Sequence, residues 1–117
     1  MSDPTALLLL AAETCRRELL PELAGEARYH AAMAVRAMEI AVRLLREGEA
    51  LAEHERRALA ALYGAEAAAL DLAALRRRLA RDIRAGRFDD PAAARALRAA
   101  LETRTACRLA VSWPGYR

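Results

Sequence analysis

The sequence predicts an all-α protein, a compact bundle or orthogonal array of about five helices. Three observations predict it. Apolar residues recur at spacings of three and four along most of the chain, and no stretch alternates with period two. Two aspartate–proline pairs, Asp3-Pro4 and Asp90-Pro91, combine a capping carboxylate with a proline preset for the first helical turn. Gly25, Gly48, Gly64 and Gly86 stand near the breaks between apolar stripes, as helix-terminal glycines do. A chain of 117 residues suits one helical domain, 1–117, and near this size about two-thirds of the unfolded surface is usually buried.

The first helix starts at Asp3 and Pro4 and carries a stripe of Leu8, Ala11, Cys15 and Leu19 until Pro21 ends or bends it. Its N-terminal half is apolar over most of its circumference, which suits a place between other helices or at an interface of a homo-oligomer. PELAG leads into the longest segment, GEARYHAAMAVRAMEIAVRLLREG, the expected central helix over roughly 25–47 with Gly48 at its end. Tyr29, Met33, Ala37, Ile40 and Leu44, widened by Ala34, Met38, Ala41 and Leu45, form its expected core stripe. Arg28, Arg36, Glu39 and Arg43 fall along another side, with Glu39 and Arg43 spaced for an i,i+4 pair.

Leu51, Ala58, Leu59 and Leu62 predict a shorter third helix ending at Gly64. Leu72, Leu75, Leu79 and Ile83 form the stripe of a fourth, closed by Gly86. The last helix begins at Asp90 and Pro91 and uses Leu97, Leu101 and either Leu109 or Val111. The ending SWPGYR, residues 112–117, is expected to be irregular, with Trp113 and Tyr116 either packed back over the helices or offered to a partner.

Charge and cysteine content narrow the function classes. The net charge is +3, but all nineteen basic residues are arginine, and lysine, asparagine and glutamine are absent. Alanine supplies about a quarter of the chain. A GC-rich genome produces this profile, so the arginine count does not point to nucleic acid. Cys15 and Cys107 form no CxxC and no cysteine–histidine cluster, which fits reduced, buried thiols in a cytoplasmic protein. The apolar run 6–12 is too short for a membrane span and lacks the context of an export signal.

No GxSxG, phosphate-binding loop or GxGxxG occurs, and both serines lie near the ends of the chain, so a non-catalytic protein is expected. Glu22, Glu26 and His30 share a helical face, but HExxH is missing and neither metal nor cofactor is expected. Two clusters remain as candidate anion or partner surfaces. Arg28, Tyr29 and Arg43 lie on the central helix; Arg77, Arg81 and Arg84 share a face within LRRRLARDIRAGR, opposite much of the leucine stripe.

Three segments, LLPELAGEARYHAAMAVRAMEIAVR, LRRRLARDIRAGRFDD and RLAVSWPGY, resemble a bacterial helical domain family of unknown function. The resemblance runs from about Thr5 to Tyr116 and rests on Pro21, Gly25, Arg28, Tyr29, Arg43, Ile83, Arg84, Gly86, Asp90, Pro114 and Tyr116. Arg36, Leu44 and Trp113 depart from the family pattern, two of them where members carry asparagine. Such domains are encoded beside aminoglycoside-phosphotransferase-like kinases and acyl-CoA dehydrogenases, and some are fused to the kinase-like domain. The resemblance implies a helical accessory module that works with one of these enzymes. The alternative is a binding domain for an anionic small molecule, a nucleotide or acyl-CoA, held near Arg28 and Arg43.

Overall fold

A computed structural model describes residues 3–115; Tyr116, half of the expected aromatic tail, lies outside the described residues. Among the described residues there are four α-helices and no strand: α1 (Pro4–Thr14), α2 (Gly25–Ala60), α3 (Leu72–Arg84) and α4 (Pro91–Ser112). The all-α class stands, and the helix count of about five is corrected to four. The correction lies at Gly48, where the central helix was expected to stop at about residue 47. Instead α2 runs for 36 residues, through Gly48 and the segment expected as a separate third helix.

The physical reason is local. Gly25, Gly64 and Gly86 adopt positive φ angles of 61°, 71° and 82°, which break a right-handed helix, and Gly48 does not. Around Gly48 the chain reads RLLREGEALAEHERRALA, almost all strong helix formers, with no proline. One interior glycine costs about 1 kcal/mol against alanine, too little to stop such a run.

Three of the four described α-helices, α1, α3 and α4, start on a side-chain cap. Asp3 Oδ1 accepts from the Thr5 amide at 3.2 Å, Asp71 Oδ1 from the Ala74 amide at 2.8 Å, and Asp90 Oδ2 from the Ala93 amide at 3.1 Å. Pro21 reshapes the end of the first helix rather than cutting it off. Its ring clashes with the carbonyl four residues back and it has no N–H to donate. The chain widens into a π-helical turn over Cys15–Leu19, where the Leu20 amide reaches back to the Cys15 carbonyl, and then tightens into a 3-10 turn, Leu20–Glu22.

The chain forms two compact units, Met1–Glu49 and Ala50–Arg117, and the division falls inside α2. In the first unit Ala12, Leu20 and Val35 make the buried cluster, with Cys15, Ala31 and Met38 packed against it. In the second unit Leu59, Tyr63, Ala67, Leu75, Leu79 and Ala100 form the core, flanked by Leu62, Leu72, Phe88, Leu97 and Leu101. The expected leucine stripe of α3 is confirmed at Leu75 and Leu79, while Ile83 at its end is half-exposed.

The expected core stripe of α2 points the other way. Val35 and Val42 are buried, and Ala31 and Met38 are half-buried, so the inward face steps 31, 35, 38, 42. At 100° per residue the expected row 29, 33, 37, 40 and 44 lies on the opposite side, and of the residues expected to widen it Met38 and Ala41 are half-buried while Ala34 and Leu45 are exposed. Tyr29, Met33 and Leu44 are 62%, 48% and 53% exposed, and Ala37 is also exposed; only Ile40 is half-covered. On α1 the buried positions are Thr5 and Ala12, with Leu8, Leu9 and Cys15 half-buried and Ala11 and Leu19 exposed, so that stripe too is rotated from the expected one.

Candidate functional site

In the first unit Arg28 has a structural contact: its Nη1 donates to the Leu20 carbonyl and ties α2 back to the turn that precedes it. Tyr29 stands beside it on the solvent side, its ring edge-on to His30 with centroids 5.6 Å apart. Arg43 is half-buried further along α2. Fifteen residues separate Arg28 from Arg43, about 22 Å of helical rise, so a small anion cannot bridge the two guanidinium groups. Glu39 accepts from Arg16 Nη2 at 2.9 Å.

Arg28, Arg43 and Tyr29 therefore edge or join a long apolar surface rather than ring a pocket. Tyr29, Met33, Ala37 and Leu44 present that surface along α2. These apolar side chains share one exposed helix face.

The second unit is held by two polar clusters. Glu55 is only 3% exposed, and its carboxylate receives Arg76 as a fork: Nε at 2.8 Å and Nη2 at 2.7 Å. Arg104 Nε lies 3.3 Å from the same carboxylate. The Arg76 hydrogen bonds, and the nearby positive charges of Arg76, Arg104 and Arg108, hold the Glu55 carboxyl below its ordinary value of 4.5 against the opposing effect of burial.

The second cluster closes around Tyr63. Its hydroxyl donates to Asp82 Oδ2 at 2.7 Å, and the Arg78 and Arg87 guanidinium carbons lie 4.1 Å and 5.5 Å from its ring centroid. Phe88 meets the ring edge-on at 6.3 Å. Arg78 also donates to Glu66 at 2.7 Å, which pins the 3-10 turn Gly64–Ala67 to α3. Burial and the Asp82 hydrogen bond push the Tyr63 hydroxyl up to about 12.

These clusters sort the arginines of α3. Arg76 serves the buried Glu55, and Arg78 pairs with the exposed Glu66 and the half-buried Asp82, whereas Arg77, Arg81 and Arg84 are exposed and none makes an ion pair among the described residues. The three fall on one face at four–three spacing, a solvated cationic strip. Along α4 an open apolar trough of about 550 Å³ runs from Ala94 to Leu109, floored by Leu97, Leu101 and Ala106 with Arg98 and Glu102 among its walls.

Sequence reasoning missed Glu55, Tyr63, Arg76, Asp82 and Arg104. A signal for the first cluster was present. Glu55 stands four residues from both Leu51 and Leu59, on an apolar stripe, and Arg104 interrupts the stripe of Leu97, Leu101 and Cys107. A charge on an apolar helix face marks a buried partner.

Cys107 is buried and its thiol is pushed up by burial and by the Glu55 charge, which makes it a poor nucleophile. Among the described residues no three histidine, cysteine, aspartate or glutamate side chains gather as metal donors, and no helix is long and apolar enough to cross a membrane.

What these elements define is an all-helical protein with two ion-clasped carboxylates and exposed apolar and cationic helix faces. Residues 21–116 match a domain of unknown function, DUF6285, and the chain belongs to that family. The match covers α2, α3 and α4 and begins after α1. No curated protein and no solved structure is found to match the chain.

Proposed function

We propose that the protein is a non-catalytic cytoplasmic interaction module whose docking face is the outward stripe of α2. One observation carries this reading: Tyr29, Met33 and Leu44 lie on one face of a helix and are each about half exposed or more. Burying them on a partner supplies the association energy that exposure withholds from folding. The resemblance in its three quoted segments suggests the partner class, a phosphotransferase-like kinase or an acyl-CoA dehydrogenase. The strip of Arg77, Arg81 and Arg84 adds a cationic surface suited to acidic groups on such a partner.

The test is co-expression with the kinase-like gene product, followed by size-exclusion chromatography with light scattering. Wild-type protein is expected in a joint peak. The double variant Met33→Glu, Leu44→Glu is expected to elute alone with an unchanged circular dichroism spectrum. Arg81→Glu is expected to weaken the complex and flatten its salt dependence. A joint peak that survives the double variant, or separate peaks for the wild type, overturns the docking face.

A further inference from the structure

A cavity of about 200 Å³ in the second unit opens among the C-terminal part of α2, α3 and α4, apart from the docking face proposed above. Leu59, Leu79, Ile83 and Leu101 make its apolar wall, and Arg76 and Arg104 its polar one. Leu59 is fully buried, so the cavity reaches the core instead of skimming the surface.

The charge around it does not balance. Arg76 and Arg104 face one carboxylate, Glu55, and Arg108 adds a third positive charge nearby, which leaves positive charge in excess. Arg76 spends Nε and Nη2 on Glu55, and Arg104 approaches it with Nε at 3.3 Å. Nη1 of Arg76 and both terminal nitrogens of Arg104 make no hydrogen bond among the described residues. Spare guanidinium donors beside an apolar wall suit a ligand with one carboxylate and a hydrocarbon tail. A volume of about 200 Å³ holds roughly six or seven non-hydrogen atoms at about 30 Å³ each.

We infer that this cavity binds a short-chain monocarboxylate of about four or five carbons. Its carboxylate engages Arg76 and Arg104, and its tail lies on Leu59, Leu79, Ile83 and Leu101. Glu55 then serves as a positioning residue that holds the two guanidinium groups at the polar wall.

The test is an NMR titration of the full ¹⁵N-labelled chain with pentanoate at fixed ionic strength, with pentanamide as the neutral isostere. Saturable shifts are expected at amides flanking the cavity, with pentanoate bound about tenfold more tightly than pentanamide. Arg104→Met is expected to weaken pentanoate about tenfold while leaving pentanamide nearly unchanged. Ile83→Trp fills the cavity from a 41% exposed position without touching the Glu55 ion pairs, and is expected to abolish binding with an unchanged circular dichroism spectrum. Equal affinity for acid and amide, an absence of saturable shifts, or undiminished binding by Ile83→Trp overturns the assignment. Loss of the α2 docking complex bears on neither arm.

Discussion

The unit up to Glu49 buries, apart from Leu20, small and β-branched side chains and leaves most of its large ones in solvent, whereas the unit from Ala50 buries large ones and fastens them with ions. Ala12, Leu20 and Val35 fill the first core; Leu59, Tyr63, Leu75 and Leu79 fill the second. Seven of the nine large hydrophobic residues exposed in the described chain belong to the first unit, which is why the docking reading is placed there. The comparison teaches that apolar content does not choose the inward face. Alanine and valine on α2 are compact enough to sit against α1, and the bulkier stripe is turned outward. In the second unit the carboxylates of Glu55 and Asp82 select the packing, because each is held by side chains from distant parts of the sequence.

The largest expected effect breaks the ionic half of that contrast. Arg76→Ala leaves the Glu55 carboxylate, 3% exposed, with Arg104 alone, and is expected to cost about 3 kcal/mol in denaturant unfolding. A loss within measurement error would make the clasp ornamental. The same group links stability to acid. Arg76 holds the Glu55 carboxyl below 4.5, so its stabilisation is complete above that pH and is lost as pH falls through the folded-state value. Glu55→Gln is therefore expected to unfold with a shallower acid dependence below pH 4.5 than the wild type. Glu53, two residues earlier, is held down to about 2 mainly by its hydrogen bonds with Arg56. Its ion pairs are solvent-screened, so Glu53→Gln is expected to leave the melting temperature almost unmoved.

Tyr63→Phe sharpens the second cluster. Removing the hydroxyl leaves Asp82 without its shortest contact, for an expected loss of about 1–2 kcal/mol. With the wild-type hydroxyl raised from 10.0 to about 12, the tyrosine's contribution is complete below pH 10 and lost as pH rises towards 12. Absorbance at alkaline pH, compared between wild type and Tyr63→Phe, checks the assignment; a missing tyrosine that titrates at 10 contradicts it.

The smallest expected effect concerns the helix joining the two regions. A Cβ at Gly48 meets nothing nearer than Leu44 Cδ2 at 3.8 Å, an ordinary contact. Gly48→Ala is expected to stabilise the protein by about 0.5–1 kcal/mol in thermal unfolding. Destabilisation would mean that the chain bends or ends at this point.

What was legible in the sequence is what local chemistry decides. The capped starts at Asp3-Pro4 and Asp90-Pro91, the glycine stops at Gly64 and Gly86 and the leucine face of α3 need only neighbours within one or two turns. Gly48 was misread because a glycine signals a helix end only when its surroundings also disfavour helix. The face of α2 was misread because the segment carries two apolar stripes, and size alone favoured Tyr29, Met33 and Leu44 over Val35 and Val42. The Glu55 cluster escaped because its partners are dispersed along the chain, though its placement on an apolar stripe carried the hint. Arg77, Arg81 and Arg84 were grouped correctly on one exposed face, since that grouping follows from helical spacing alone.

The measurement that bears most directly on the inverted face of α2 is a paired unfolding experiment on Met33→Glu and Val35→Glu, followed by circular dichroism and size exclusion. The two positions are two residues apart, 48% and 1% exposed. Met33→Glu is expected to unfold within about 0.5 kcal/mol of the wild type. Val35→Glu, which buries a carboxylate among Ala12, Leu20 and Met38, is expected to lose on the order of 3 kcal/mol or more. Equal losses, or a greater loss at Met33, would put the large apolar stripe back in the core and remove the docking face with it.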